Sequence, residues 1–94
     1  MPQRFHVRIT SRFRREAQKL LKQHPELVDA LEQLQEMLAA DPYNRSHEHD
    51  VKKLSGLGKS EGQWRVRVGD YRVRYDIMGN DVVLYSFRHR REVY

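Results

Sequence analysis

Four arginines in two alternating runs carry the strongest chemical signal in this sequence. Trp64-Arg65-Val66-Arg67-Val68 and Tyr71-Arg72-Val73-Arg74-Tyr75 flank the dipeptide Gly69-Asp70. A guanidinium is planar, permanently charged and able to bond two phosphate oxygens at once, which suits it to a polyanion better than an ammonium. The run Arg88-His89-Arg90-Arg91-Glu92-Val93-Tyr94 adds groups of another kind. An imidazole such as that of His89 can give or take a proton, and Tyr94 is both aromatic and a weak acid. His47-Glu48-His49 lacks the His-Glu-x-x-His spacing that sets two imidazoles on one helix face, so neither a metal nor a cofactor is expected.

The charge distribution supports the arginine signal. The net charge is +5, yet residues 1–50 hold eight bases and eight acids. Residues 51–94 hold ten bases, seven of them arginine, against five acids, so the second half supplies the whole surplus. A basic half points to a polyanionic partner. The absence of cysteine excludes disulfides and thiolate-bound zinc or iron–sulfur centres. The length of 94 residues suits one domain spanning 1–94, without room for a separate cofactor domain. No apolar run approaches the roughly 20 residues of a membrane span. Met1 to Thr10 has no apolar signal core, so a soluble cytoplasmic protein without a membrane partner is expected.

The elements that must position these residues follow from periodicity. Phe5 to Ile9 alternates as a half-buried strand does. Thr10 or Ser11 can cap a helix carrying Phe13, Ala17, Leu20 and Leu21 on one side. His24-Pro25 interrupts the pattern, and a second helix presents Leu27, Leu31, Leu34 and Leu38 before stopping ahead of Asp41-Pro42. Residues 43–63 lack periodicity and read as a connection. From Trp64 onward the pattern is strand, with turns at Gly69-Asp70 and Gly79-Asn80. The expected fold is α+β in the order β-α-α-β-β-β, a mainly antiparallel sheet with a helical hairpin packed on one face.

Register turns this pattern into a site. With Gly69-Asp70 as a two-residue turn, Arg67 lies opposite Arg72 and Arg65 opposite Arg74, all on one face. Trp64, Val66, Val68, Tyr71, Val73, Tyr75 and Ile77 take the other face, against the helices. If Gly79-Asn80 turns the chain in the same way, Val82 and Leu84 join the core, while Val83, Tyr85, Phe87 and His89 join the arginines. Like charges directly opposite one another cost up to about 1 kcal/mol a pair, so two facing arginine pairs make sense as a prepared polyanion site. Tyr85 and Phe87 are expected to stack on bases there.

Lys53-Leu54-Ser55-Gly56, the hairpin from Trp64 to Tyr75, and the ending from His89 to Tyr94, in this order and spacing, resemble the RelE/ParE toxin superfamily over nearly the whole chain. RelE-like members cut mRNA in the ribosomal A site, whereas ParE-like members inhibit DNA gyrase and lack the nuclease residues. ParE-like chains tend to finish with a histidine-glycine-arginine segment. The ending His-Arg-Arg-Glu-Val-Tyr is similar to that of the RelE branch. The resemblance implies a RelE-like fold and a type II toxin–antitoxin toxin, a ribosome-dependent endoribonuclease. In it the RNA 2′-OH attacks the adjacent phosphate without metal, leaving a 2′,3′-cyclic phosphate and a 5′-OH.

Carried over position by position, Arg67 and Arg72 would stabilise the phosphate, and Arg90 would contact it or protonate the leaving group. Arg65 or His89 would assist proton transfer, and Tyr94 would orient the substrate. Arg65 and Arg67 stand where the best-known member has lysines, and arginine is hard to deprotonate, so the base is open. Lys52, Lys53, Arg74, Tyr85, Phe87, Arg88 and Arg91 would extend the RNA-binding surface. The resemblance further implies mRNA, the ribosome and a cognate antitoxin as partners, with DNA bound only through the antitoxin complex. A ParE-like gyrase inhibitor and a plain RNA-binding module are the alternative readings.

Overall fold

The computed structural model describes residues 4–54, 62–89 and 91. The elements run β1 (His6–Ile9), α1 (Ser11–Gln23), α2 (Leu27–Ala40), β2 (Val51–Lys53), β3 (Trp64–Val68), β4 (Tyr71–Met78) and β5 (Asp81–His89). The sheet order is β1-β5-β4-β3-β2, with β1 parallel to β5 and every other pair antiparallel. The α+β architecture is as expected, with one correction to its element order. Val51–Lys53, inside the segment read as a connection, is a strand pairing with Trp64–Val66. Three residues are too few to display alternation, so the partner strand, and not the local pattern, gives β2 its conformation.

Thr10 joins helix to sheet. Its Oγ1 accepts from the Phe13 N–H at 3.1 Å and donates to the Leu84 carbonyl at 3.0 Å, so one side chain caps α1 and pins it to β5. Phe13 and Ala17 from α1, with Leu31, Leu34 and Leu38 from α2, close over Val66, Val73, Tyr75, Val82, Leu84 and Phe87. Each fully buried large side chain stabilises the fold by about 1.5–3 kcal/mol.

Tyr75 fastens the loop after α2 to this core. It is fully buried, and its hydroxyl donates to the Pro42 carbonyl at 2.7 Å. Burial, and then the Asp41 charge, push its phenol above the usual range, so it remains a donor at any physiological pH. Its ring stacks on Trp64, which Tyr43 meets edge-on. Tyr75→Phe strands the Pro42 carbonyl, and a loss of about 1–3 kcal/mol is expected in urea denaturation.

Asp41 orders the next turn. Its carboxylate accepts from the Arg45 N–H at 2.9 Å, the Ser46 N–H at 3.2 Å and the Ser46 hydroxyl at 2.8 Å. Burial acts to raise its pKa, but these hydrogen bonds and the charge of His49 together outweigh it, and the group lies below the ordinary 3.8. A carboxylate with a depressed folded pKa contributes stability that is fully present above its unfolded value and is lost as pH falls through the folded one. Stability should therefore decline with acid below about pH 4, and Asp41→Asn should flatten that part of the profile, as followed by thermal unfolding against pH.

Candidate nucleic-acid interface

Val68 pairs with Tyr71, Arg67 with Arg72 and Arg65 with Arg74, so the hairpin turns at Gly69-Asp70 in the expected register. Gly69 has φ +59, a conformation in which a Cβ would be strained. Pairing on either side extends this face into two cross-strand rows. One runs Lys52, Arg65, Arg74, Ser86. The other runs Arg67, Arg72, Arg88, and Asp50 continues it beyond Arg67, because the Arg67 N–H donates to the Asp50 carbonyl at 3.0 Å. Two-residue alternation along each strand sends all of these side chains to the side away from the helices.

Packing so many cations together requires compensation, and the structure shows where it comes from. Asp50 lies 3.7 Å from Arg65 Nη2 and 3.6 Å from Arg67 Nε. Arg74 donates to the Gly62 carbonyl through Nε at 3.2 Å and Nη2 at 2.8 Å. Gly62 has φ +82, and a Cβ there would come within 2.8 Å of the Tyr75 nitrogen, so only glycine brings that carbonyl so close. At the far end, Arg88 Nε donates to Glu16 at 2.6 Å, and the second oxygen of Glu16 takes the Phe87 N–H at 3.2 Å. The carboxylates of Asp50 and Glu16 thus bracket a row of three arginines. Asp76, 8% exposed, accepts from the Gln63 N–H at 2.7 Å. Burial and then Asp76, to which its hydroxyl is bonded, push the Tyr85 phenol up.

Arg65 is distinct. Its side chain is only 14% exposed, and its Nε is buried without a hydrogen-bond acceptor among the described residues.

Two expected members of this face are on the other one. The register between β4 and β5 shifts at Arg74/Tyr75: Tyr75 pairs with Leu84 but Arg74 with Ser86, leaving Tyr85 as the extra residue of a β-bulge. Beyond the bulge the parity of β5 reverses. Phe87 pairs with Val73, is 1% exposed and stacks on Phe13, so it belongs to the core and cannot stack on a base. His89 pairs with Tyr71, meets its ring edge-on at 5.4 Å, and accepts the Arg91 N–H at Nδ1. Arg88 takes the place on the arginine face that simple alternation assigned to its neighbours. Val83 and Tyr85, ahead of the reversal, stand where expected.

Among the remaining expected residues, Lys52 joins the arginines, whereas Lys53 points to the helix side and lies over the Trp64 ring at 5.6 Å. Arg91 is exposed. Arg90 and Tyr94 lie outside the described residues. No cluster of three His, Cys, Asp or Glu side chains forms among the described residues. Sequence reasoning passed over Asp50, Glu16, Gly62 and Asp76. Glu16 had a signal, as the one acid among Arg12, Arg14, Arg15, Lys19 and Lys22 on α1. Phe87→Ala should destabilise the protein by about 3–5 kcal/mol in thermal or urea unfolding, as expected of a core ring and not of a surface one.

Comparisons with known proteins bear on what such a face does. Residues 7–94 match the family described as the ParE toxin of type II toxin–antitoxin systems, parDE. No curated protein matches the sequence. Among solved structures, the chain resembles one in the Escherichia coli DinJ–YafQ toxin–antitoxin complex at 12% identity and TM-score 0.75, covering 97% of this chain and 98% of that one. It resembles one in the archaeal RelE–RelB complex of Pyrococcus horikoshii OT3 at 26% identity and TM-score 0.69, covering 96% and 97%. A third likeness is to the RelB–RelE antitoxin–toxin complex of Methanococcus jannaschii, at 20% identity and TM-score 0.60, covering 94% and 95%. The likenesses at 12% and 20% identity establish the fold alone.

Proposed function

We infer that this chain, which belongs to the ParE toxin family of type II toxin–antitoxin systems within the RelE/ParE superfamily, grips messenger RNA on its arginine face and cleaves it as RelE-like members do. The observation that carries this reading is the register that sets Arg65 opposite Arg74 and Arg67 between Arg72 and the Asp50 strand end, with Arg88 continuing the second row. Like charges placed directly opposite one another cost stability, and a polyanion bound across the rows would relieve that repulsion. Arg74 and Arg88 are already held by Gly62 and Glu16, so those two guanidiniums need little further ordering to bind.

In this reading the 2′-OH attacks the adjacent phosphate, and charge builds on the phosphorane oxygens. Arg65, Arg67 and Arg72 stabilise that charge, which is the largest contribution such a face can make. Arg74, Arg88 and Lys52 track the flanking phosphates. Arg90 and Tyr94 keep the roles that the resemblance implies. The unit is the domain 1–94, working in the cytoplasm on mRNA aligned in the ribosomal A site, with weak activity on free RNA. The solved neighbours are toxin–antitoxin complexes, which supports a cognate antitoxin as partner. Exposed apolar side chains such as Val28 on α2 are candidates for its contact, and DNA binding would come through that complex.

The name of the matching family favours a second reading, a gyrase inhibitor without nuclease activity. Induced expression followed by mapping of mRNA 5′ ends separates the two. Cuts within translated codons are expected, weakened about 10²–10³-fold in Arg72→Ala. Intact mRNA with supercoiling defects would sink the nuclease reading in favour of the second. Growth unimpaired without any antitoxin would leave only an RNA-binding module.

A further inference from the structure

The proposed cleavage needs a base for the ribose 2′-OH, and guanidiniums do not release protons near neutral pH. The geometry points to Asp50 as that base, an assignment that rests on the nuclease reading and gives it the proton acceptor it lacks. Asp50 continues the row of Arg67 and Arg72, one residue ahead of β2. Its Oδ1 faces Arg65 at 3.7 Å and its Oδ2 faces Arg67 at 3.6 Å, with the side chain 57% exposed. Both separations exceed hydrogen-bonding length, so neither lone pair is committed to these arginines. A phosphate bound by Arg65 and Arg67 would stand against the carboxylate, and the attacking hydroxyl sits on the ribose joined to that phosphate.

The backbone holds Asp50 in place. Asn44, at φ 55, donates from its side chain to the His49 carbonyl at 2.8 Å and accepts the His49 N–H at 3.1 Å. The Asp50 carbonyl is fixed by the Arg67 N–H. Neither Asp76 nor Glu16 is similarly available, since the first is buried against the Gln63 N–H and Tyr85 and the second binds Arg88 and the Phe87 N–H. The charged groups around Asp50 are Arg65 and Arg67 from β3, Lys52 from β2, Arg72 from β4 beyond Arg67, and its chain neighbour His49.

The step balances as follows. An Asp50 oxygen takes the 2′-OH proton while O2′ bonds to phosphorus. The P–O5′ bond breaks, and O5′ keeps its electron pair and takes a proton from water or a cationic side chain. The products are a 2′,3′-cyclic phosphate and a 5′-OH, and Asp50 then returns its proton to solvent.

The test is single-turnover cleavage of mRNA on programmed ribosomes, with Asp50→Asn and Asp50→Glu beside the unaltered protein. Affinity is read separately on an uncleavable 2′-deoxy-substituted RNA, and folding by thermal unfolding. Asp50→Asn should cut about 10²–10⁴-fold more slowly while binding equally or more tightly. Asp50→Glu should recover part of the rate. A rate for Asp50→Asn within about threefold of normal overturns the assignment. So does a slower rate that follows lost affinity, because Asp50 would then only position arginines. If the unaltered protein leaves mRNA whole, the nuclease reading itself fails, a result distinct from either.

Discussion

Each residue of β3 and β4 faces either the helices or the solvent, and the pairing of Val68 with Tyr71 decides which. The two faces make opposite demands. One must fill the space under α1 and α2 with Val66, Val73 and Tyr75, and the other must carry arginines that are partly or fully exposed. A slip of one residue would push guanidiniums into the core, at a desolvation cost far above the stability of so small a domain. Core and candidate site are therefore the same constraint seen from two sides, and a glycine in a left-handed turn sets it.

Charge repulsion is the other consequence of that register, and the molecule distributes its relief unevenly. Arg88 is bound closely by Glu16, and Arg74 is clamped by a carbonyl that only a glycine brings near. Asp50 stands off from Arg65 and Arg67, beyond hydrogen-bonding distance. The tight pairs tie the sheet to α1 and to the segment before β3, which makes them part of the fold. The loose one leaves Arg65 and Arg67 able to exchange partners. A phosphate bound as proposed would compete with the loosely placed Asp50 carboxylate at the end near β2, and with the closely bound Glu16 at the Arg88 end.

The bulge at Tyr85 reconciles the length of β5 with both faces. Next to β1, this strand buries Val82 and Leu84. Near α1 it must bury Phe87, three residues after Leu84, a spacing that strict alternation forbids. One unpaired residue corrects the phase, seats Phe87 under Phe13, and turns Arg88 outward where Glu16 reaches it. Without that inserted residue, either the α1 contact would lose its ring or the arginine row would end at Arg72.

By itself, the sequence determined the helical hairpin, the strands from Trp64 onward, the turn at Gly69-Asp70 and hence the convergence of Arg65, Arg67, Arg72 and Arg74. Those features rest on periodicity and turn chemistry, which act between near neighbours in the chain. Only the tertiary structure decided that Val51–Lys53 is a strand, that Phe87 and His89 leave the arginine face, and that Asp50 and Glu16 border it. A three-residue strand exists because another strand offers it hydrogen bonds, and a bulge exists because a ring must meet a helix more than 70 residues away in the chain. Such partners leave no trace in the local pattern, since the free energy that selects them arises only when distant segments meet.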